Sequence, residues 1–332
     1  MAVVFMCGFE GGTKAHYTAR GWAFSGPSLI NSTVANLHRS LAGNGGNYSM
    51  FSDDGDLSPT FDTSARWLNI WSRIDGRQQQ GFVFYRASTA TFSVEVSDSG
   101  FINLRRGLLT GTIVATSTVA INMNVGHWWS IELDALDAGG VCNVKVDGVL
   151  LVTFSGDTKN ATTANWDQFG IGGANGFMYY DDILVSDSTT GEIPERFMPP
   201  IVPDGNDVGS FTSSSGNPNW QNVDEIPPST TDYNETIAPG EETYTLGALP
   251  WTPPVGTLTA VQVQCYAGRD GTITNAQAVT RPASTSFYGA STALPAAPTF
   301  GFCEDIRIVD PDTAVAWTTA GVNGLKAGIK FL

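Results

Sequence analysis

The feature that most restricts how this chain can fold is a dipeptide, Asp147-Gly148, inside VCNVKVDGVLLVTF (141–154). It stands between two apolar-rich runs. A tight turn between strands demands residues that tolerate positive φ, and Asp-Gly supplies them. The run is therefore predicted to be an antiparallel hairpin. The same short, alternating texture fills the chain before it. ARWLNIWSRID (65–75) places Trp67, Asn69, Trp71 and Arg73 on one parity and Leu68, Ile70 and Ser72 on the other. GFVFYRAS, TFSVEVSD and GFINLRRG follow at close spacing, and WDQFGIGGANGFMYYDDILVSD reads as a final strand pair whose last strand covers 178–185. No amphipathic helical pattern is sustained, whereas 37 Gly and 17 Pro provide turns. The fold class is therefore all-β, and strands at this density imply a two-sheet sandwich or jelly roll.

A chain of 332 residues favours two domains. The run STTGEIPERFMPPIVPDG marks the boundary, because Pro194, Pro199, Pro200 and Pro203 deny ladder hydrogen bonds and stiffen the backbone. We divide the chain into a jelly roll over 1–187, a Pro-rich linker over 188–203 and a smaller β-rich domain over 204–332. The stretch after the linker is polar and nearly strandless. Strands resume at ETYTLGAL, TLTAVQVQCYAG, STSFYGA and EDIRIVD, and a short helix is predicted near 317–325 before a last strand.

Charge excludes one class of partner. A net charge of −15 and a pI near 4.4 repel nucleic acid and anionic lipid. No apolar run reaches the roughly 18 residues of a membrane span. MAVVFMCGFEGG has no basic leader and is broken at Gly8 and Glu10, so it reads as a first strand rather than a signal peptide. Cys7, Cys142, Cys265 and Cys303 lack metal-ligand spacing and lie in apolar or strand-like stretches, which makes buried free thiols the favoured reading and disulfides the alternative. No metal and no cofactor is expected: P-loop, dinucleotide and G-x-S-x-G patterns are absent, and His16, His38 and His127 are scattered.

The order W-S-I-E-L-D (Trp129 to Asp134), Gly-Gly, V-K-V-D-G (Val144 to Gly148) and Y-Y-D-D-I-L-V (Tyr179 to Val185) resembles the concanavalin A-like or laminin-G-like jelly roll. The resemblance implies that the closing strand lies beside the first strand, near 3–9. In the second domain, N-W-Q-N-V-D-E (219–225), D-Y-N (232–234), T-A-V-Q-V (259–263), D-P-D-T-A-V-A-W-T (310–318) and V-N-G-L-K-A-G-I (322–329) resemble a C-terminal domain of structural proteins of tailed bacteriophages. That resemblance implies a non-enzymatic tail, neck or capsid-decorating component on the virion exterior, made in the bacterial cytoplasm. Its partners would be itself, as a closed oligomer such as a trimer, and other phage structural proteins. Trp220, Tyr233 and Trp317 are the candidate assembly residues.

Two alternatives rest on the first domain. Glu132-Leu-Asp134-Ala-Leu-Asp137 is similar to the Glu-x-Asp-x-x-Glu strand of laminarinase-type glycosidases, in which paired carboxyl groups stand about 5–5.5 Å apart. Glu132 and Asp134 share a face, while Asp137 has the wrong parity, is one methylene short and precedes a Gly-Gly turn. The favoured interpretation is a polar outer face entering a hairpin. The other alternative is a surface polysaccharide bound by Trp128, Tyr180, Glu132 and Asp134, because Trp128 and Trp129 point to opposite faces, which leaves room for one of them to be outside. Of Trp22, Trp67, Trp71 and Trp166, most are expected in core or interface. Asp53 to Asp56 (DDGD) is expected to be a solvated turn rather than a cation loop. Of Asp181-Asp182 and Tyr179-Tyr180, one of each pair is expected to face outward.

Overall fold

A computed structural model of the chain describes residues 3–8, 17–18, 20, 22–24, 29–31, 49–52, 56–61, 65–75, 79–160, 165–173, 177–187, 198–209, 211–226, 228–249 and 258–332. Two compact units emerge, Met1–Met198 and Pro199–Leu332. Residues 188–197 of the expected linker lie outside the described residues.

The first unit contains fifteen described strands: β1 (Val3–Cys7), β2 (Ala23–Phe24), β3 (Leu29–Asn31), β4 (Ser49–Ser52), β5 (Asp56–Leu57), β6 (Trp67–Asp75), β7 (Gln80–Arg86), β8 (Thr89–Val96), β9 (Ile102–Arg106), β10 (Thr112–Thr116), β11 (Gly126–Asp134), β12 (Gly140–Val146), β13 (Val149–Gly156), β14 (Gln168–Gly173) and β15 (Phe177–Ser186). They form two antiparallel sheets. One runs β13-β12-β11-β6-β15-β4-β3, with β1 also on β15; the other runs β10-β9-β8-β7-β14-β5-β2. The first and closing strands are thus neighbours, as the resemblance implies.

Alternation builds the core. Leu68 and Ile70 of β6 and Trp129, Ile131 and Leu133 of β11 face Phe82 and Phe84 of β7 and Phe92 and Val94 of β8, and all are fully buried. Trp129 meets Phe82 edge-on at 5.5 Å, and Trp166 meets Phe84 at 4.8 Å, geometries aromatic pairs prefer. The Asp147-Gly148 turn is where the sequence puts it. Both residues have positive φ, 51° and 79°, and Val146 pairs with Val149 across them.

Among its described residues the second unit contains β16 (Pro203–Val208), β17 (Thr212–Ser213), β18 (Asn234–Glu235), β19 (Gly240–Leu246), β20 (Val261–Ala267), β21 (Asn275–Arg281), β22 (Phe287–Tyr288), β23 (Thr292–Ala293), β24 (Gly301–Arg307) and β25 (Lys326–Phe331), with a 3-10 turn at Asn219–Asn222 and one helix, α1 (Thr319–Asn323). Thr318 caps α1 through its hydroxyl, which accepts from Gly321 N. The main sheet runs β16-β19-β25-β21-β22, with β23 also on β21; β20 and β24 form a separate ribbon, and β17 pairs with β18. The ribbon and the sheet share a core in which Ala276, Ala278 and Ala327 meet Val263, Cys303 and the partly buried Cys265.

Strands β2 to β5, β10, β16 to β18, β21 and β23 fall outside the runs that read as strands. β21 (NAQAVTR) is central to its sheet, yet its inward positions 276 and 278 are alanines, which carry little strand preference and are chosen here for close layer packing. β16 is a polar edge strand led by Pro203, and its register slips twice. The helix and the closing strand β25 stand where the sequence predicts them.

Candidate functional site

The acidic strand β11 is organised by a residue far from it in sequence. Arg66, just before β6, donates from Nε and from one terminal nitrogen to Glu132 Oε1 at 2.9 and 2.8 Å, and from the other to Asp134 Oδ2 at 3.0 Å. Asn143 Nδ2 donates to the second Glu132 oxygen at 2.8 Å, and Thr153 Oγ1 in turn donates to Asn143 Oδ1 at 2.6 Å. The backbone of Arg66 joins the same brace: Leu133 N donates to its carbonyl at 2.8 Å, and its own N–H donates to Ser186 O at 2.9 Å. The arrangement therefore ties β11, β12 and β15 together. A proton donor for glycoside cleavage needs an oxygen that can reach the scissile bond. Both oxygens of Glu132 are engaged within the sheet. Asp137 lies past the end of β11, strongly exposed and paired with Lys159 Nζ at 2.8 Å, so no bulge carries it back to the face of Glu132.

The predicted platform residues are placed differently from the expectation. Trp128 and Trp129 do point to opposite faces, yet Trp128 is only 3 % exposed. Trp67 and Trp71, its neighbours on the same face of β6, are buried as well. A second layer beyond a sheet face cannot be read from strand parity, which reports only which residues share that face. Tyr180 points into the core, fully buried, and its hydroxyl donates to Asp56 Oδ2 at 2.7 Å. Burial, then the Asp56 carboxylate, pushes its phenol far above the ordinary tyrosine range. Neither Trp128 nor Tyr180 offers a surface to a sugar. Asp56, expected in a solvated turn, is instead a buried acceptor on β5, while residues 53–55 lie outside the described residues. Asp181 and Asp182 are both buried, because a bulge in β15 puts Asp182 at φ 49° and turns its carboxylate to accept from Met198 N at 2.9 Å. His127 braces the hairpin, its ring nitrogens 2.7 Å from Asp147 Oδ2 and 2.9 Å from Asn122 O; His16 and His38 lie outside the described residues.

The outer face of the other sheet carries a second charged group that pattern reading misses. Glu95 of β8 is buried beneath Arg105 of β9, whose Nε pairs with Glu95 Oε2; Asn103 Nδ2 also donates to that oxygen, at 3.2 Å. Arg105 reaches on to Gly111 O at 2.7 Å. Among the described residues no group of three or more His, Cys, Asp or Glu could hold a metal, and no helix is long and apolar enough to cross a membrane. All four cysteines are free thiols.

In the second unit, asparagines hold the nearly strandless segment after β16. Asn206 Oδ1 accepts from Trp220 N at 2.9 Å. Asn219 Nδ2 donates to Phe211 O and to Glu242 Oε1, both at 2.7 Å. Asn222 Nδ2 donates to Ser213 Oγ, Asn234 Oδ1 and Tyr233 O, and Asn234 Nδ2 donates to Asn219 O and Tyr244 Oη. Glu242, itself buried, also accepts from Phe211 N at 3.0 Å. The asparagine amides thus substitute for ladder hydrogen bonds. Trp220 is half-buried, whereas Tyr233, Val223 and Ile237 are exposed, Ile237 at 98 %. Trp317 is 3 % exposed, packs with Val322 and Leu325, and donates from Nε1 to Arg307 O at 2.8 Å, which makes it a core residue rather than an assembly contact.

The fold and these sites define an all-β protein of two units, with a two-sheet antiparallel sandwich first. No family model matches the chain, and no curated protein does. Solved structures similar to it include an endo-β-1,4-glucuronan lyase from the fungus Trichoderma reesei (11 % identity, TM-score 0.39, covering 56 % of this chain and 96 % of that one). Others are galectin LEC-6 of Caenorhabditis elegans (12 %, TM-score 0.28, 37 % and 84 %) and the exoplasmic/lumenal domain of VIP36 (8 %, TM-score 0.35, 56 % and 92 %). At such identities and scores the likeness carries no argument about activity, and the fold is established by the strand pairing itself.

Proposed function

We propose that the chain is a non-enzymatic structural component of a tailed phage particle, acting by self-association and by docking on neighbouring structural proteins. The observation that carries this reading is the asparagine-pinned surface of the second unit, where Ile237, Tyr233 and Val223 stand exposed on a segment held by side-chain hydrogen bonds. Exposed apolar side chains on a fixed frame suit an interface, because little ordering entropy remains to be lost on contact. Two further features support it. Glu132 and Asp134 serve a brace with Arg66, and a net charge of −15 suits a particle exterior better than packaged DNA.

Sedimentation velocity of the full chain tests this. The wild type should form a discrete oligomer, and the double substitution Tyr233→Ser, Ile237→Ser should shift it to monomer with an unchanged far-UV spectrum. A wild type that stays monomeric at every concentration, or an oligomer indifferent to the substitutions, overturns the assignment of this surface. Absence of the chain from purified tailed particles of its source would overturn the placement.

A further inference from the structure

The two cysteines of the second unit stand directly opposite each other, Cys265 on β20 and Cys303 on β24. Opposed residues of an antiparallel pair share a face, with Cα atoms about 4.5–5.5 Å apart. That spacing lies inside the roughly 4.4–6.8 Å that a disulfide spans. Their contacts agree: the Cys265 thiol donates to Gly328 O on β25 at 3.0 Å, and both cysteines lie in the core that Ala276, Ala278 and Ala327 of the main sheet line, so both face that sheet beneath the ribbon. The other two thiols are not so placed. Cys7 on β1 and Cys142 on β12 have β15, β6 and β11 between them, about four strand spacings or 19 Å.

We propose that Cys265 and Cys303 form a latent cross-strand disulfide that closes the β20–β24 ribbon when the chain leaves reducing conditions. With oxidised glutathione as oxidant, the Cys265 thiolate attacks one glutathione sulfur, forms a mixed disulfide and releases one glutathione thiolate. The Cys303 thiolate then attacks Cys265 Sγ and expels the second. The protein thiols lose two electrons and two protons, and glutathione disulfide gains both to become two thiols. Burial raises both thiols, so attack waits for the ribbon to open and exchange is slow in the folded chain. A reducing compartment keeps the pair open, and an oxidising one closes it.

The test equilibrates the native full chain for days in glutathione buffers from reducing to oxidising, then quenches in acid, alkylates free thiols and maps peptides. Cleavage after Arg269 separates the two cysteines, so a bridge appears as one linked peptide pair. The expected product keeps Cys7 and Cys142 alkylatable, joins Cys265 to Cys303 and loses about 2 Da, and its unfolding midpoint rises by about 5 °C or more because a long loop is closed. Cys265→Ser and Cys303→Ser should each abolish the shift, while Cys142→Ala should not. Four alkylatable thiols across the whole oxidising range, a bridge involving Cys7 or Cys142, or a glutathione adduct that never resolves would each overturn the proposal. Because the wild-type map decides the matter, a variant that fails to fold does not.

Discussion

Replacing Arg66 with methionine would separate a structural brace from a chemical site. The substitution keeps most of the side-chain length and removes three N–H···O contacts of 2.8–3.0 Å to Glu132 and Asp134. Each attraction is about 4 kcal/mol at 4 Å in an effective dielectric of about 20, against which stands the cost of drying the three groups. Broken buried pairs cost about 3–5 kcal/mol and exposed ones about 0–1 kcal/mol. Arg66, Glu132 and Asp134 keep 20, 13 and 21 % of their side-chain surface, between those limits. The expected loss is therefore about 2–3 kcal/mol, because two like charges are also left facing each other. Urea unfolding, followed by the tryptophans that dominate the first unit, should show a lower midpoint at unchanged slope. The thermal midpoint should fall by about 4–12 °C. A double-mutant cycle with Glu132→Gln should give a coupling above about 1 kcal/mol. A loss below about 0.5 kcal/mol, or a cycle that is simply additive, would refute the brace.

Gly209→Ala should destabilise the second unit by about 2 kcal/mol or more, since a Cβ there would overlap the Glu242 carboxylate and displace it from Phe211 and Asn219; thermal unfolding checks this. Trp317→Ala should cost about 3–4 kcal/mol in denaturant titration, whereas Ile237→Ser should change stability by less than about 0.5 kcal/mol and act on association alone. Alkali should act through Tyr180 and Tyr244, whose phenols are both raised by burial. The unfolded chain releases these protons near pH 10 while the folded one retains them. Their stabilising contribution is thus whole below about pH 10 and declines above it, at about 1.4 kcal/mol per pH unit per phenol. Tyr180→Phe should reduce that slope by one proton in pH-dependent urea midpoints, and an unaltered slope would show that Tyr180 ionises while folded.

What could be read from sequence was local. The Asp147-Gly148 turn and the inward parity of Trp129, Ile131 and Leu133 follow from residues within a few positions of one another. The role of Glu132 could not be read this way, because its partner Arg66 lies 66 residues away and meets it only through the pairing of β6 with β11. Trp317 misleads for a related reason. In a polar run it resembles a surface anchor, yet Val322 and Leu325 close over it once α1 forms. Trp128 and Tyr180 show the limit of alternation, which assigns a face to each but cannot say that both faces of the sheet are buried there.

The asparagine frame of the second unit has a consequence for how this surface can change. Asn206, Asn219, Asn222 and Asn234 fix the backbone between β16 and β19, while Thr212, Ser214, Pro218 and Thr230 between them stand exposed. Drift would therefore be uneven along the segment, narrow at four amides and broad among the residues on display. Two such chains could present quite different surfaces to a neighbour while keeping the same loop, so the part of this protein that would decide what it meets can vary without a new fold.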